Sequence, residues 1–146
     1  RGPLRDVIQD YERRIAHYFK FEVIEVAGGA GGRDDPTVVM QAEAERLSGR
    51  LPEAAELIVL DRTGRAWSSR DLALHLEERA VHGLGDVALL IGGAWGVHRK
   101  LRSRAARIFS LGALTLPHEL ARLIVTEQLY RAGTILRNEP YHKGRD

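Results

Sequence analysis

The chain has 146 residues, 44% of them hydrophobic, with no cysteine and a formal net charge of +2. That length fits one domain with a sizeable core, and the composition excludes a wholly disordered chain. The absence of cysteine excludes disulfides, thiolate metal sites and cysteine nucleophiles, and no apolar run approaches the ~20 residues that span a bilayer.

Leu4, Val7, Ile8, Tyr11, Ile15 and Tyr18 recur at helical spacing and predict an amphipathic helix over residues 4–19. The opening Arg1-Gly2-Pro3-Leu4 has no signal-peptide apolar core and no initiator methionine, which fits a cytoplasmic protein whose sequence starts inside a longer native chain. Residues 21–26 read as a short strand and residues 27–35 as a glycine-rich loop. A helix follows to about Arg50, with Pro36 suited to its first turn. Residues 56–60 read as a buried strand, closed by a turn at 61–64. Ser68 with Asp71 three residues on approximates a capping box for a helix to about Val81. Residues 87–91 form the next strand, ended by the glycines from Gly92 to Gly96. Val97-His98 opens a basic helix, residues 108–111 are a fourth strand-like run, and Pro117 starts a last helix to about Arg137. The alternation predicts an α/β fold, a single domain over residues 1–146 with a mostly parallel sheet flanked by helices.

Residues 87–118 contain no Asp or Glu, yet Arg99, Lys100, Arg102, Arg104 and Arg107 all fall there. Such a basic surface suits a phosphate backbone, and equally a solvated helix face. Two glycine clusters fail the nucleotide fingerprints. Gly28-Gly29-Ala30-Gly31-Gly32 lacks the third glycine, Gly92-Gly93-Ala94-Trp95-Gly96 has the wrong spacing, and neither holds Gly-Lys-Ser/Thr. Glycine at the strand end at Gly92 lets backbone approach a ligand, or the chain itself in a tight turn. On the ligand reading, valine at position 92 blocks the ligand and leaves the fold intact. The small apolar segment at 110–116 offers amides and carbonyls to a flat heterocycle, or is a plain buried strand. The six histidines form no pair at metal-ligand spacing, so no metal site is expected. His118 follows Pro117 at a helix start, where it contacts a ligand or caps. The terminal Pro140-Tyr141-His142-Lys143 joins aromatic and cationic groups suited to a base and a phosphate, although tails of this kind are usually disordered.

LLIGG at 89–93, SLGALTLPH at 110–118, LYRA at 129–132 and PYH at 140–142, in this order and spacing, resemble a known family over nearly the whole chain. It is the SPOUT-class bacterial large-subunit rRNA pseudouridine-N3 methyltransferases. The resemblance implies an α/β fold with a C-terminal trefoil knot, a topology that periodicity cannot predict. It implies S-adenosylmethionine (S-adenosyl-L-methionine) as methyl donor, a homodimer, and methylation of N3 of a pseudouridine in large-subunit rRNA on the assembled 70S ribosome. Leu60, Gly92, Leu111, Gly112, Ala113, Leu114, Thr115 and Leu116 fall on its cofactor-binding positions. His118, Tyr141 and His142 become the candidates for the group beside N3, unranked among themselves. Arg131 and Lys143 join Arg99, Lys100, Arg102 and Arg104 as candidate RNA contacts. The tail is implied to act near the methyl donor in a site shared between two subunits, with no membrane or metal partner. Ala94 and Trp95 stand where the family usually has Pro and an acidic residue. Lys143 stands where it usually has Arg, keeping the charge and losing the planar fork. The family's opening strand has no counterpart ahead of Arg1. The alternative is a non-catalytic ribosome-binding module built on the basic helix at 99–107, which has no use for S-adenosylmethionine.

Overall fold

A computed structural model describes residues 2–26, 35–92 and 96–144. The loop glycines Gly28, Gly29, Gly31 and Gly32, and Gly93, Ala94 and Trp95 of the second cluster, lie outside the described residues. The elements are α1 (Arg5–Ile15), α2 (Pro36–Arg50), β1 (Glu56–Ala66), α3 (Ser69–Val81), β2 (Val87–Ile91), α4 (Arg99–Arg104), β3 (Arg107–Ser110) and α5 (His118–Leu136). The chain divides into a sheet unit, residues 23–66 and 85–118, and a helical unit, residues 1–22, 67–84 and 119–146.

The sheet unit carries a three-stranded parallel sheet in the order β2-β1-β3. In the central strand Leu57, Ile58 and Val59 are all buried, the continuous apolar run of a parallel strand covered on both faces. Leu57, Val59 and Leu90 pack with Ala44 of α2, Val97, and Leu101 of α4. Each such side chain stabilises the unit by about 1.5–3 kcal/mol on full burial if it is Val or Leu. Leu60 pairs with Ile91 on one side and Phe109 on the other. The chain therefore leaves β2 at Gly92, and β3 towards Leu111, along one carboxyl edge of the sheet, the edge at which parallel sheets bind ligands.

In the sheet unit four expectations change. The basic helix read over 99–107 ends at Arg104, and Arg107 already belongs to β3, where the chain pairs with β1. Residues 21–26 are not a strand. An apolar alternation becomes one only where a neighbour takes its backbone hydrogen bonds, and among the described residues the sheet's ladders join β1 to β2 and β3 alone. The turn expected at 61–64 is instead an irregularity inside β1. The strand shifts register between Leu60 and Arg65 and pairs on to Ala66 with Ser110. The Asp61 carboxylate supports that irregularity, accepting from Thr63 N at 3.0 Å and from the Thr63 hydroxyl. The last strand sits one residue earlier than expected. It stops at Ser110, whose Oγ accepts from Gly112 N at 3.0 Å, with Gly112 at φ 123°.

In the helical unit the capping box of α3 is formed in both directions. Asp71 N donates to Ser68 Oγ (3.0 Å) and Ser68 N to Asp71 Oδ2 (3.1 Å). What α5 buries is small: Ala121, Val125, Thr126, Ala132, Gly133 and Thr134. A methyl added at Gly133 would run into the Tyr18 ring, so this glycine sets the approach of α1's trailing turn. Arg122 Nη2 meets Glu12 Oε2 at 2.8 Å, tying α5 to α1, and Ser69 Oγ donates to Gln128 Oε1 at 2.6 Å, tying it to α3. α1 stops at Ile15 rather than Phe19, and Tyr18 beyond it donates its hydroxyl to Glu139 Oε1 at 2.6 Å.

The tail is ordered rather than loose. Asn138 adopts φ 56°, Asn138 N donates to Ile135 O (3.1 Å) and Glu139 N to Thr134 O (2.9 Å). That bond pattern is a Schellman stop, with asparagine at the left-handed position it tolerates better than most residues, and it turns the chain away from the α5 axis.

Candidate active site

In the sheet unit the small apolar loop at 111–117 is held at both ends. At its start the buried Ser110 hydroxyl also lies 3.2 Å from Arg62 O and 3.1 Å from Gly112 O. At its end His118 Nδ1 lies 2.8 Å from Gly92 O, closing the loop onto the end of β2. A carbonyl only accepts, so Nδ1 carries the proton. Leu60, Gly92 and the loop thus share the carboxyl edge of the sheet. Within the loop Gly112, Ala113, Leu114 and Thr115 are exposed, while Leu111 and Leu116 are half-buried.

This donor set fits S-adenosylmethionine. The segment 111–116 has no charged side chain, and Leu114 stands 78% exposed, a large apolar group available to cover a nucleoside. Gly92 has a reason to be glycine beside ligand approach. A Cβ there would stand 2.6 Å from Val97 Cγ2 and 2.7 Å from Gly96 C. Valine at position 92 therefore strikes the chain's own turn first, which removes the expectation that it spares the fold.

In the helical unit the tail residues converge on one carboxylate that is not among the candidates read from the sequence. Glu127 Oε2 accepts from Tyr141 OH at 2.7 Å and from Arg131 Nη2 at 2.9 Å, and Arg131 Nη1 donates to His142 Nδ1 at 3.0 Å. Burial, then the bonds to Glu127 and Tyr11, push the Tyr141 hydroxyl well above the usual phenol range, so it stays protonated. Arg131 lies 4.8 Å from the Tyr141 ring centroid, and Tyr130 meets that ring edge-on at 4.7 Å. Arg131 is thus a brace for the tail, its terminal nitrogens committed within the unit. Tyr18, held to Glu139, is pushed up to about 12 by that hydrogen bond first and by burial second. Tyr18, Tyr130, Thr134, Glu139, Tyr141 and Lys143 line a cavity of about 360 Å³. One signal for Glu127 was available in the sequence, its i,i+4 spacing to Arg131. No sequence signal links Tyr18 to Glu139, 121 residues apart.

The basic candidates divide. Arg99 and Lys100 are exposed at the start of α4, where His98 Nδ1 accepts from Lys100 N at 3.1 Å. Arg102 is half-buried and reaches β1, with Nη2 3.0 Å from Thr63 Oγ1 and 3.6 Å from Asp61 Oδ2. Burial alone would raise the Asp61 carboxyl, but the bonds from Thr63 and the Arg102 charge outweigh it and hold it below its ordinary value of 3.8. Such a group stabilises the fold above its unfolded pKa, and the stabilisation is lost as pH falls through the lowered value. Arg102→Gln removes one lowering partner and is expected to move acid unfolding to higher pH, read by circular dichroism. Arg104 Nη1 donates to Ser48 Oγ at 2.8 Å. Lys143 is exposed beside the tail. Among the described residues no three His, Asp or Glu side chains stand together as a metal site, and no helix is long and apolar enough to cross a membrane.

A family model described as "Predicted SPOUT methyltransferase" matches residues 1–142. Proteins named "Ribosomal RNA large subunit methyltransferase H" are similar to the chain over most of their length. The one from Gemmatimonas aurantiaca is 48% identical over 96% of this chain and 90% of its own. That from Rubrobacter xylanophilus is 46% identical over 97% and 91%, and that from Syntrophotalea carbinolica 38% over 97% and 90%.

Proposed function

The chain belongs to the SPOUT methyltransferase family, and from that membership we propose that it methylates N3 of a pseudouridine in large-subunit rRNA, with S-adenosylmethionine as donor, on the assembled 70S ribosome in the cytoplasm. The observation that carries the reading is the closure of the 111–117 loop onto Gly92 O by His118, in a chain whose relatives are named as rRNA large subunit methyltransferases. Leu60, Gly92 and the loop from Leu111 to Leu116 hold the cofactor, in a segment that closes the trefoil knot of the family. Bound S-adenosylmethionine supplies an electrophilic methyl on sulfur, whose carbon–sulfur electron pair stays with the sulfur on transfer. The residues have two tasks, to align the acceptor base and to manage the proton on N3. His118, Tyr141 and His142 stand beside the base. The tail acts from a second copy of the chain. Support for a homodimer comes from α5, which buries its small residues and leaves Leu120, Leu123, Ile124 and Leu129 half-buried.

The test is transfer of labelled methyl from S-adenosylmethionine to ribosomal particles, with the modified nucleoside read by mass spectrometry. The expected product is N3-methylpseudouridine, formed on 70S particles in preference to free large-subunit rRNA. A label on another nucleoside, or none, overturns the reading. A chain that binds ribosomes and no S-adenosylmethionine is instead the non-catalytic RNA-binding module.

RNA contact falls to the exposed cations. Reversing charge at Arg99 and Lys100 together is expected to weaken ribosome binding and to flatten the slope of log affinity against log salt by about 1.4–1.8, two phosphate contacts at ~0.7–0.9 each. Cofactor affinity should hold. Arg102→Glu instead faces Asp61 with a second carboxylate and is expected to lower the thermal midpoint before any RNA is added.

A further inference from the structure

The two candidate histidines are held in opposite proton arrangements. His118 Nδ1 faces the Gly92 carbonyl at 2.8 Å, and a carbonyl oxygen can only accept. Its ring is therefore protonated on Nδ1, and in the neutral form Nε2 bears the lone pair. His142 Nδ1 faces Arg131 Nη1 at 3.0 Å, and a guanidinium can only donate. Its Nδ1 bears the lone pair, and Nε2 carries the proton. Ring nitrogens assigned in this way follow from the chemistry of their partners. The third candidate, Tyr141, keeps its proton and donates it in a hydrogen bond to Glu127 Oε2 at 2.7 Å.

We infer that His118 is the proton acceptor at N3, through Nε2, and that His142 and Tyr141 are not bases but are braced by Arg131 and Glu127 to hold the base in place. The assignment rests on the reading of the chain as a pseudouridine-N3 methyltransferase, and it ranks the three residues that reading leaves level. Balanced, the step moves the N3 proton onto His118 Nε2. The N–H electron pair stays on N3 and becomes its bond to the methyl carbon, and the imidazolium later releases the proton to water. His118 is exposed, so Nε2 is open to an arriving base, and its anchor on Gly92 O places it at the cofactor edge of the sheet. His142, with its proton on Nε2 and its Nδ1 lone pair taken by Arg131, has no nitrogen in the form of a base. Glu127 never touches substrate in this scheme. It is a positioning residue, acting through Arg131 and Tyr141.

Two measurements test this. Long-range ¹⁵N–¹H correlation spectra of the free wild-type protein report each tautomer without any reaction. The expected pattern is Nδ1–H for His118 and Nε2–H for His142, and Nε2–H at His118 overturns the assignment. The second measurement is single-turnover methyl transfer at saturating S-adenosylmethionine. In His118→Asn the amide nitrogen takes the place of Nδ1 and retains the bond to Gly92 O, but nothing stands at Nε2. Its rate is expected to fall about 10²–10⁴-fold, the range of a lost general base, with cofactor affinity within ~3-fold of wild type. His142→Gln retains a donor at the Nε2 position and is expected to stay within ~10-fold of the wild-type rate. A His118→Asn rate within ~3-fold of wild type, or a His142→Gln loss as deep as that of His118→Asn, overturns the assignment while the methyltransferase reading stands. A wild-type chain that transfers no methyl overturns that reading and the assignment with it.

Discussion

On the proposed function, truncation before Tyr141 is expected to lower methyl transfer at least ~10²-fold while S-adenosylmethionine affinity and the proposed dimer persist, because in that reading the tail orients the base and stands outside the cofactor slot. The structure gives the reason to expect a clean loss. Tyr141 and His142 are held through Glu127 and Arg131, so deletion removes a rigid group rather than a loose end. The cost to the helical unit includes the Tyr130–Tyr141 edge contact, about 0.5–1.5 kcal/mol, together with the Tyr141–Glu127 and Arg131–His142 hydrogen bonds and the Arg131–Tyr141 ring contact. Mixing then asks where the tail acts. A truncated subunit paired with a full-length subunit that cannot bind cofactor carries one complete site if the tail serves its neighbour, and none if it serves its own chain. Random exchange gives half heterodimers, each with one site of two, so recovery of about a quarter of wild-type activity is expected. Proven exchange without recovered activity rejects the shared site.

The cofactor-blind partner in that experiment is Ala113→Trp. Alanine at this place is exposed, so an indole costs the fold little and fills the mouth of the loop. S-adenosylmethionine affinity is expected to fall at least ~10-fold, about 1.4 kcal/mol, in calorimetric titration, with the thermal midpoint almost unmoved. Unchanged affinity in the folded variant removes the cofactor from this loop. A substitution at Gly92 cannot make the same distinction, since any side chain there presses on Val97 and Gly96.

The sequence is legible where a rule is local. The Ser68–Asp71 box, Pro36 at the start of α2 and the apolar run of β1 each involve neighbours within a few residues, and each forms as expected. The resemblance reached further, to the family itself. What stayed hidden depends on partners distant in sequence. Asp61 to Gly64 looks like a turn until β3 is there to pair with Arg65 and Ala66, and residues 21–26 look like a strand although they join neither edge of the described sheet. Arg102 reads as a phosphate contact until it is found against Asp61, 41 positions back in the chain. His118 and Gly92 are 26 residues apart, and no periodicity joins a histidine to one carbonyl.

The Schellman stop at Asn138 and the clamp on Glu127 have a consequence for association with RNA. Fixing a residue's backbone costs about 1–2 kcal/mol in conformational entropy, so ordering the four residues 139–142 amounts to roughly 4–8 kcal/mol. In this protein that ordering accompanies folding of the helical unit. A tail that became ordered only against the ribosome would subtract the same amount from affinity each time it docked. If the proposed function holds, the preformed tail leaves the free energy of docking to the charges and ring faces that would meet the RNA, and the heat capacity change on binding should be that of two prefolded surfaces rather than of a segment folding as it binds.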